Sequence, residues 1–407
     1  MNVHHAVEQA ARDSYGRLVA YLAARWHDIA TVEDALSGAF VAALETWPRT
    51  GVPDKPEAWL LTAARRKLID GARRARVQAK AEPALLAMAE EARRWSRSDE
   101  DFPDERLRMM FMCAHPDIDP SMHTPLMLQT VLGIDAARIA SAFIVKPSTM
   151  GQRLSRAKAK IREERIRFEF PDESELPQRL GAVLEAVYAA YGSGWDDAAG
   201  ADPRRKGLTG EAVYLGRLLV RFMPDEPEAL GLLALMLHCE ARLEARRNAA
   251  GSYVPLSEQD TALWSRVLIG EAERILSCAA QAGRIGRFQL EAAIQSVHAQ
   301  RAYTGRTEWE EIALLYEGLV RIAPTISTHI GRAAAVAEAR GAESGLALLE
   351  AIPAETIASY QPYWALAAHL FKRLRRDEDA HAAYSRAIGL CTDPSVRDFL
   401  QRQAGQQ

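Results

Sequence analysis

Residues 56–74 read PEAWLLTAARRKLIDGARR. Pro56 suits the first turn of a helix, where its missing N–H leaves no intrahelical bond unmade. Apolar residues follow at spacings of three and four, which places them on one side of a helix. These are Leu61, Ala64, Leu68 and Ala72. Basic residues fall on the outer side, namely Arg66, Lys67, Arg73 and Arg74. The segment therefore predicts a helix that packs on one side and presents cations on another.

Two further charges in this helix are expected to be paired. Arg65 falls beside the apolar stripe, and a charge in that position needs a partner because its desolvation is costly. We expect an acid of the preceding helix, Asp34, as its partner, with a DNA contact as the alternative. Asp70 can pair with Arg73 or Arg74 at helical spacing.

A second basic segment spans residues 146–167. It carries a net charge of +6, as does the segment 65–80, whereas the whole chain of 407 residues has a net charge of −3. Two basic islands in an acidic background predict two separate phosphate-binding surfaces.

The residues around the second island predict a helix-turn-helix. A short helix covers 135–142, and a turn at 144–147 leads into a helix that Pro147 can begin. The packing stripe of this second helix is Met150, Leu154, Ala157 and Ile161. Arginines on a neighbouring face can pair with guanine in the major groove, and lysines can neutralise phosphates. A solvated basic helix without a target is the alternative.

Two residues depart from an ideal recognition helix. Lys146 occupies the expected N-cap position, where it offers no acceptor to the first N–H groups. Gly151 lies within the helix, as Gly38 does in an earlier one, and costs up to about 1 kcal/mol relative to Ala.

The amino-terminal part predicts helices near 5–26, 31–46 and 56–75. Thr31 is the expected N-cap of the second helix, with Asp34 three residues later in a capping-box arrangement. Pro48 is expected to end that helix at Trp47 and to open a loop that runs to residue 55. Residues 76–103 predict a linker, with some helix around 83–95.

The remainder of the chain predicts a helical repeat. Its clearest unit contains small and large residues in the order found in tetratricopeptide repeats, in which two antiparallel helices pack together. These residues are Trp364, Ala368, Phe371, Ala380, Tyr384 and Ala387. Stacked helix pairs would share one core and form a groove for a protein or peptide partner. The stripe residues are interpreted as core rather than as ligand contacts.

Composition excludes several other classes of protein. Hydrophobic residues make up 48% of the chain, but no run of about 18 apolar residues predicts a membrane span. The first residues lack the pattern of a signal peptide. Four scattered cysteines predict reduced thiols and a cytoplasmic protein. We find no catalytic motif, metal-ligand cluster or cofactor motif, so no enzyme, metal or cofactor is expected.

Three segments of the chain resemble conserved regions of one protein family and occur in the same order as in that family. Residues 28–40, DIATVEDALSGAF, and residues 56–74 resemble region 2 of extracytoplasmic function sigma factors, the promoter-recognition subunits of bacterial RNA polymerase. The segment around 149–157 resembles region 4, and the remainder is similar to the tetratricopeptide-like extension of one subgroup.

This resemblance implies an all-α fold. It implies a region 2 bundle at 1–75, a linker at 76–103, a region 4 helix-turn-helix at 104–171 and a tetratricopeptide-like domain at 172–407. The implied partners are promoter DNA and core RNA polymerase, through its β′ clamp helices and β flap. The linker would run toward the active-site channel, and the loop 47–55 would hold an unstacked base of the −10 element.

The resemblance also implies roles for individual residues. Contacts to the −35 element fall to Lys146, Ser148, Thr149, Gln152, Arg153, Arg156 and Lys160. Contacts to the −10 element fall to Trp59, Arg66, Lys67, Arg73 and Arg74. Contacts to polymerase fall to Asp34, Ser37, Phe40 and Leu44. The C-terminal domain would modulate activity.

Two other functions remain as alternatives. A non-sigma DNA-binding regulator with a helical-repeat sensor would share the second and third parts of the chain, but it would not need the segments 28–40 and 59–74. A scaffold protein would not need the basic recognition helix.

Overall fold

The fold is that of a computed structural model, which describes residues 3–78, 104–143, 145–166, 168–172, 174–195 and 208–405. In these residues the secondary structure is helical, apart from an isolated bridge between Arg247 and Tyr253. The predicted all-α class is confirmed. None of the described helices is long and apolar enough to cross a membrane. The chain divides into two compact units, Met1–Gly192 and Ser193–Gln407.

The first unit contains eight described helices. They are α1 (Val3–Trp26), α2 (Ile29–Thr50), α3 (Pro56–Gln78), α4 (Arg106–Cys113), α5 (Pro120–Thr130), α6 (Ala136–Ala142), α7 (Pro147–Glu163) and α8 (Leu176–Trp195). Helix α3 extends three residues into the predicted linker. The rest of that linker, with the helix expected around 83–95, lies outside the described residues, as does residue 144 of the predicted turn.

The start of α2 differs from the prediction. Asp28 rather than Thr31 is the N-cap, and its carboxylate accepts hydrogen bonds from the backbone N–H of Thr31 at 3.2 Å and from its hydroxyl at 2.8 Å. Both residues are good capping types. Thr31 serves as the donor because the carboxylate three residues earlier offers the stronger acceptor.

The end of α2 also differs from the prediction. Pro48 lies inside the helix, which continues to Thr50 and leaves a loop of residues 51–55. The indole of Trp47 is 1% exposed, so its packing favours helical backbone at the position where proline disfavours it. Gly51 ends the helix with φ +84°, and its N–H donates to the carbonyl of Trp47 at 3.0 Å.

Helices α1–α3 share one core. Leu18 of α1, Leu36 of α2 and Leu60 of α3 are each fully buried. Burial of a leucine side chain contributes about 1.5–3 kcal/mol, so these contacts hold the three amphipathic helices together.

Helices α6 and α7 follow one another closely in the chain and pack against each other. Asp135 caps α6 by accepting from the N–H groups of Ala137 and Arg138. The N–H of Val145 then donates to the carbonyl of Ala140 at 2.9 Å, which fixes the turn before Pro147 begins α7.

The second unit consists of helices that pack mainly on their sequence neighbours. They are α9 (Leu208–Phe222), α10 (Pro227–Glu240), α11 (Arg266–Gln281), α12 (Arg287–Thr304), α13 (Trp309–Ile322), α14 (Ile326–Arg340), α15 (Ala342–Glu350), α16 (Ala354–Ile357), α17 (Gln361–Arg373), α18 (Asp377–Leu390) and α19 (Pro394–Gly405). Short 3₁₀ turns at 243–246, 256–258 and 261–263 separate α10 from α11.

Close backbone contacts and a shared core hold this second unit. The carboxylate of Glu228 in α10 accepts from the N–H groups of Phe288 and Gln289, and so caps α12. In the predicted repeat unit, Ala368 of α17 and Ala387 of α18 are fully buried, and Trp364 is partly buried against the same core.

Candidate nucleic-acid interface

The packed side and the basic side of α3 are separate. Leu61, Ala64 and Leu68 are buried, and Ala72 is half-buried. The predicted contacts Arg66, Lys67, Arg73 and Arg74 are all exposed. Asp70 forms an exposed ion pair with Arg73 at 3.8 Å, as helical spacing predicted. The helix therefore presents a cationic surface backed by a hydrophobic core.

Arg65 has a partner in the protein interior. Its Nη2 atom donates to the hydroxyl of Tyr21 at 2.8 Å, and its guanidinium lies 5.4 Å from the centre of the same ring. Sequence reasoning expected Asp34 as the partner and did not foresee this contact with α1. The hydrogen bond supports the structural role that was predicted for Arg65.

Trp59 lies at the start of α3, close to the loop 51–55. Its ring makes an edge contact with Trp47, with ring centres 5.5 Å apart and planes at 70°. Trp47 is buried and Trp59 is partly exposed. The buried ring fixes the partly exposed ring beside the loop, where an aromatic face can stack on an unpaired base.

Lys67 is exposed but also lies against α2. A Cβ atom added at Gly38 would lie 2.9 Å from Cε of Lys67, so the glycine makes room for the lysine side chain. Both residues line a cleft of about 500 Å³ between α2 and α3, together with Asp34 and Arg74. Gly38 lowers the helix stability of α2, and the space it leaves is occupied by the side chain of Lys67.

Helix α7 shows the same division as α3 into a packed side and a basic side. Its predicted stripe is confirmed, because Met150, Leu154, Ala157 and Ile161 are buried. Six of the seven residues predicted to contact the −35 element are exposed, namely Lys146, Ser148, Gln152, Arg153, Arg156 and Lys160. The seventh, Thr149, is half-buried. The basic face can therefore meet a phosphate backbone or base edges without disturbing the core.

Lys146 and Gly151, the two residues that depart from an ideal recognition helix, lie where the sequence predicted them in α7. Lys146 is the N-cap and its side chain makes no capping hydrogen bond. A Cβ atom at Gly151 would meet nothing within 4 Å. The glycine therefore leaves open space on the exposed side of the helix.

A buried ion pair connects α7 with α2, and sequence reasoning missed it. Nζ of Lys158 in α7 lies 2.5 Å from Oε2 of Glu33 in α2, and the two side chains are 9% and 16% exposed. Burial raises the pKa of Glu33, although Lys158 opposes that rise. Nearby, Arg162 lies 3.7 Å from Asp28. Lys158 falls on the packing stripe at four residues from Leu154, and this was the available signal.

The residues predicted to contact polymerase lie along α2. Asp34 and Ser37 are exposed, Phe40 is half-buried and Leu44 is 37% exposed. Val41, next to this row, is 54% exposed. The row is thus an accessible surface with apolar members, of the kind that protein partners cover.

A polar cluster lies inside the second unit between α10, α11 and α12. His238 is 2% exposed, and its Nε2 atom lies 3.5 Å from Glu273, which accepts from Ser296 at 2.6 Å. Burial, reinforced by the cation of Arg242, lowers the pKa of His238 to about 4. The imidazole is therefore neutral at pH 7 and belongs to the core.

Two family models match parts of the chain. Residues 12–77 match the sigma-70 region 2 family, and residues 179–280 match a family of unknown function, DUF6596. An uncharacterized protein of Rhizobium meliloti (strain 1021) is 35% identical over 402 residues, which cover 98% of this chain and 94% of that protein. No solved structure matches the chain. The chain therefore belongs to the same family as the Rhizobium meliloti protein and is a sigma-70-type factor.

Proposed function

We propose that the chain acts as an extracytoplasmic function-type sigma factor in the cytoplasm. In this role it binds core RNA polymerase and directs transcription from specific promoters. As a sigma-70-type factor it is a transcription initiation factor without enzymatic activity. The observation that carries the proposal is the pair of basic surfaces on α3 and α7, each exposed and each backed by a buried stripe.

The surface of α3 is proposed to contact the −10 element. Arg66, Lys67, Arg73 and Arg74 would neutralise phosphates, because lysine and arginine displace the counterions of DNA. Trp59 would stack on an unpaired base beside the loop 51–55. The edge contact with buried Trp47 supports this role because it holds the ring in place.

The surface of α7 is proposed to read the −35 element. Arg153 and Arg156 are long, exposed side chains on one face of the helix and can form bidentate contacts to guanine. Lys146, Ser148, Thr149, Gln152 and Lys160 would contribute backbone and base contacts around them.

The remaining surfaces are assigned to protein partners. The row Asp34, Ser37, Phe40 and Leu44 on α2 is proposed to bind the β′ clamp helices, and the helix-turn-helix part is proposed to bind the β flap. The second unit is proposed to be a tetratricopeptide-like domain that modulates activity through a protein or peptide partner. The paired helices α17 and α18, with small residues at their contact, support that proposal.

A non-sigma DNA-binding regulator is the second candidate. The helix-turn-helix and the helical second unit would suit it equally. The match of residues 12–77 to sigma-70 region 2 favours the sigma role, since such a regulator has no use for that region.

Co-purification with core polymerase tests the proposal. The full chain should elute with the core enzyme in gel filtration, and Leu44→Asp together with Phe40→Ala should abolish co-elution while the helix content stays unchanged. A double substitution at exposed sites on another helix, Glu378→Gln with His381→Gln, serves as the control. Failure of the unaltered chain to co-elute, with DNA binding retained, would favour the regulator.

A further inference from the structure

Two arginines of the second unit are held between α10 and α12. Arg242 follows the end of α10, and its Nη2 atom donates to Oε1 of Gln295 in α12 at 2.5 Å. Arg301 lies in the last turn of α12, and its Nη1 and Nη2 atoms donate to the carbonyls of Ser257 and Gln259 at 2.8 and 2.7 Å. Both side chains are half-buried, so their guanidinium groups are fixed in the protein and still reach solvent.

The acceptors of these two arginines carry no formal charge. They are a side-chain amide, two backbone carbonyls and, for Arg242, the sulfur of Cys239 at 3.6 Å. Several other arginines of the second unit pair with carboxylates, as Arg306 does with Glu308 at 2.6 Å. Within the part of the chain that the structure describes, Arg242 and Arg301 have no carboxylate partner. Two partly desolvated charges without a counterion are unfavourable.

The two cations act on each other and on His298. Burial, followed by the charge of Arg242, lowers the pKa of Arg301. Burial, followed by the charges of both arginines, lowers the pKa of His298 to about 4, so its imidazole is neutral at pH 7. The guanidinium of Arg301 also lies 5.0 Å from the ring centre of Trp264, which is 4% exposed and limits its movement. Arg242, His298 and Arg301 are named here the arginine cluster.

The nearby helix ends offset only part of the charge of the arginine cluster. Arg242 follows the carboxyl end of α10, and Arg301 lies near the carboxyl end of α12. Each such end carries about half of an elementary negative charge, so about one positive charge remains. This excess favours an anion at the cluster.

The hydrogen-bond donors of the cluster suit a phosphate group. A guanidinium carries five N–H groups, and in the described residues Nε and Nη1 of Arg242 and Nε of Arg301 have no acceptor. The neutral imidazole of His298 can add a third donor side chain. A phosphate monoester presents three acceptor oxygens and up to two negative charges, whereas a carboxylate presents two oxygens and one charge. Arginine is the residue that pairs best with phosphate oxygens.

We propose that the arginine cluster binds the phosphate group of a small molecule, either inorganic phosphate or a phosphate monoester. The anion accepts hydrogen bonds from Arg242, His298 and Arg301 and supplies the negative charge that neither arginine obtains from a carboxylate. The proposal goes beyond the proposed function and does not depend on it, because the site lies wholly within the second unit.

Phosphate at this position would act on the segment that connects α10 to α11. Arg301 holds that segment through two of its carbonyls. The same segment reaches the last helix, since Arg247 lies 3.5 Å from Asp393 and the ring of Tyr253 makes an edge contact with Phe399. A ligand that fixes Arg301 therefore also stabilises the connection between α10 and α19.

Calorimetric titration of the full chain tests the proposal. The probes are inorganic phosphate, glycerol phosphate as the monoester and acetate as the carboxylate, all at the same ionic strength. At least one phosphate compound should bind, and acetate should bind at least about tenfold more weakly, because it makes fewer charged hydrogen bonds. Tighter binding of glycerol phosphate would identify a phosphorylated small molecule as the ligand, and equal or weaker binding would identify phosphate itself.

Variants at the cluster and one matched control locate the binding. Arg242→Gln should weaken phosphate binding at least about tenfold, and Arg242→Lys should weaken it less because the charge remains. His298→Phe keeps a ring beside Trp309 and removes the donor, and it should weaken binding at least about threefold. Arg306→Gln changes an arginine that has a carboxylate partner and should bind phosphate as the unaltered chain does. Circular dichroism checks the helix content of each full-length variant.

Hydrogen exchange provides a second measurement of the site. Phosphate should protect backbone amides of residues 254–264 and leave exchange in α3 and α7 unchanged. Protection confined to α3 or α7 would place the anion on the proposed DNA surfaces and overturn the proposal. Equal phosphate binding by the unaltered chain, Arg242→Gln and His298→Phe would also overturn it, as would absence of binding at millimolar concentration. Acetate binding as tight as phosphate binding would contradict the assigned ligand class. None of these results bears on whether the chain binds core polymerase.

Discussion

The Nζ atom of Lys158 lies 2.5 Å from Oε2 of Glu33, although 125 positions separate the two residues in the chain. Lys158 belongs to α7, in which Arg153, Arg156 and Lys160 are exposed, and Glu33 belongs to α2. One lysine of the basic helix α7 is thus used for packing against α2. This distinguishes it from its exposed neighbours Arg156 and Lys160.

The energetic coupling of this pair can be measured. Lys158→Met leaves the carboxylate of Glu33 without its partner. We expect the free energy of unfolding of the first unit to fall by about 2 kcal/mol, which is less than for a fully buried pair because both side chains are partly exposed. The double variant Glu33→Leu with Lys158→Met should recover most of that loss, because both charges are gone. Urea unfolding of the four proteins in the cycle measures the coupling. A double variant whose loss equals the sum of the single losses would mean that the pair is not coupled.

Arg153→Ala and Arg156→Ala should each weaken promoter binding through the −35 element. Loss of a bidentate contact to guanine costs about 1–3 kcal/mol, with relaxed preference for the base at that position. Fluorescence anisotropy with native and substituted −35 sequences measures both effects, with polymerase present. Gly151→Ala is the control on the same helix, since its Cβ meets nothing within 4 Å. Unchanged affinity in both arginine variants would move base recognition away from this face.

Lys146→Ser should change stability and DNA binding in opposite directions. A serine hydroxyl at the N-cap can accept from the free N–H groups of α7, which should stabilise the protein by about 1 kcal/mol. Loss of the lysine should remove one phosphate contact and reduce the slope of log affinity against log salt by about 1. Thermal unfolding and a salt titration provide the two measurements. A variant that is more stable and has an unchanged salt slope would exclude Lys146 from the DNA interface.

Gly231→Ala should destabilise the second unit. The added Cβ would lie 2.6 Å from the backbone nitrogen of Gln289 and 2.9 Å from the carbonyl carbon of Phe288, and backbone atoms cannot move aside as a side chain can. We expect a loss of about 1–3 kcal/mol, as for other overpacked sites. Gly389→Ala, whose Cβ meets nothing within 4 Å, should be neutral or slightly stabilising. Equal unfolding midpoints for the two variants would contradict the tight contact between α10 and α12.

The second unit should lose stability as the pH falls below about 6.5. Burial lowers the pKa of His238 from 6.5 to about 4, so folding favours the neutral imidazole and the unfolded chain binds the proton first. Stability is complete above the unfolded value and declines between pH 6.5 and 4, by up to about 3 kcal/mol for this residue. Arg242 and Glu273 face the imidazole, and burial likewise lowers the pKa of His298 to about 4.

Thermal unfolding across this pH range tests the effect. His238→Leu removes one titrating group and should flatten the decline, even if the variant is less stable at pH 7. A decline as steep as in the unaltered chain would show that His238 does not contribute to it.

Helix class and helix faces could be predicted from the sequence because they depend on local spacing. The stripe from Met150 to Ile161 repeats at three and four residues, and the structure buries all of it. The basic faces of α3 and α7 follow by exclusion, since charged side chains avoid a packed stripe. This much of the candidate site required no knowledge of the tertiary structure.

Helix ends were predicted less well because several local signals compete there. Asp28 and Thr31 are both capping residues, and only the structure shows that the Asp28 carboxylate accepts from Thr31. Pro48 disfavours helix at Trp47, but burial of the indole outweighs that preference. Local propensity is a weak determinant when tertiary packing opposes it.

Long-range partners could not be predicted from one sequence. Arg65 was expected to pair with Asp34, whereas its hydrogen bond to the hydroxyl of Tyr21 depends on how α1 packs against α3. The Glu33–Lys158 contact depends on the position of α7 beside α2. Such pairs arise from packing between elements that are distant in the chain, and spacing within one helix carries no information about them.

Promoter-specific transcription in a purified system tests the central claim most directly. Core polymerase and the full chain are combined with fragments of the source genome that contain native promoters, and run-off transcripts are mapped at their 5′ ends. We predict transcripts that start at defined sites, need both proteins and diminish with the double variant Arg153→Ala and Arg156→Ala. A set of transcripts identical with and without the chain, across all fragments, would contradict the assignment of this protein as a working sigma factor.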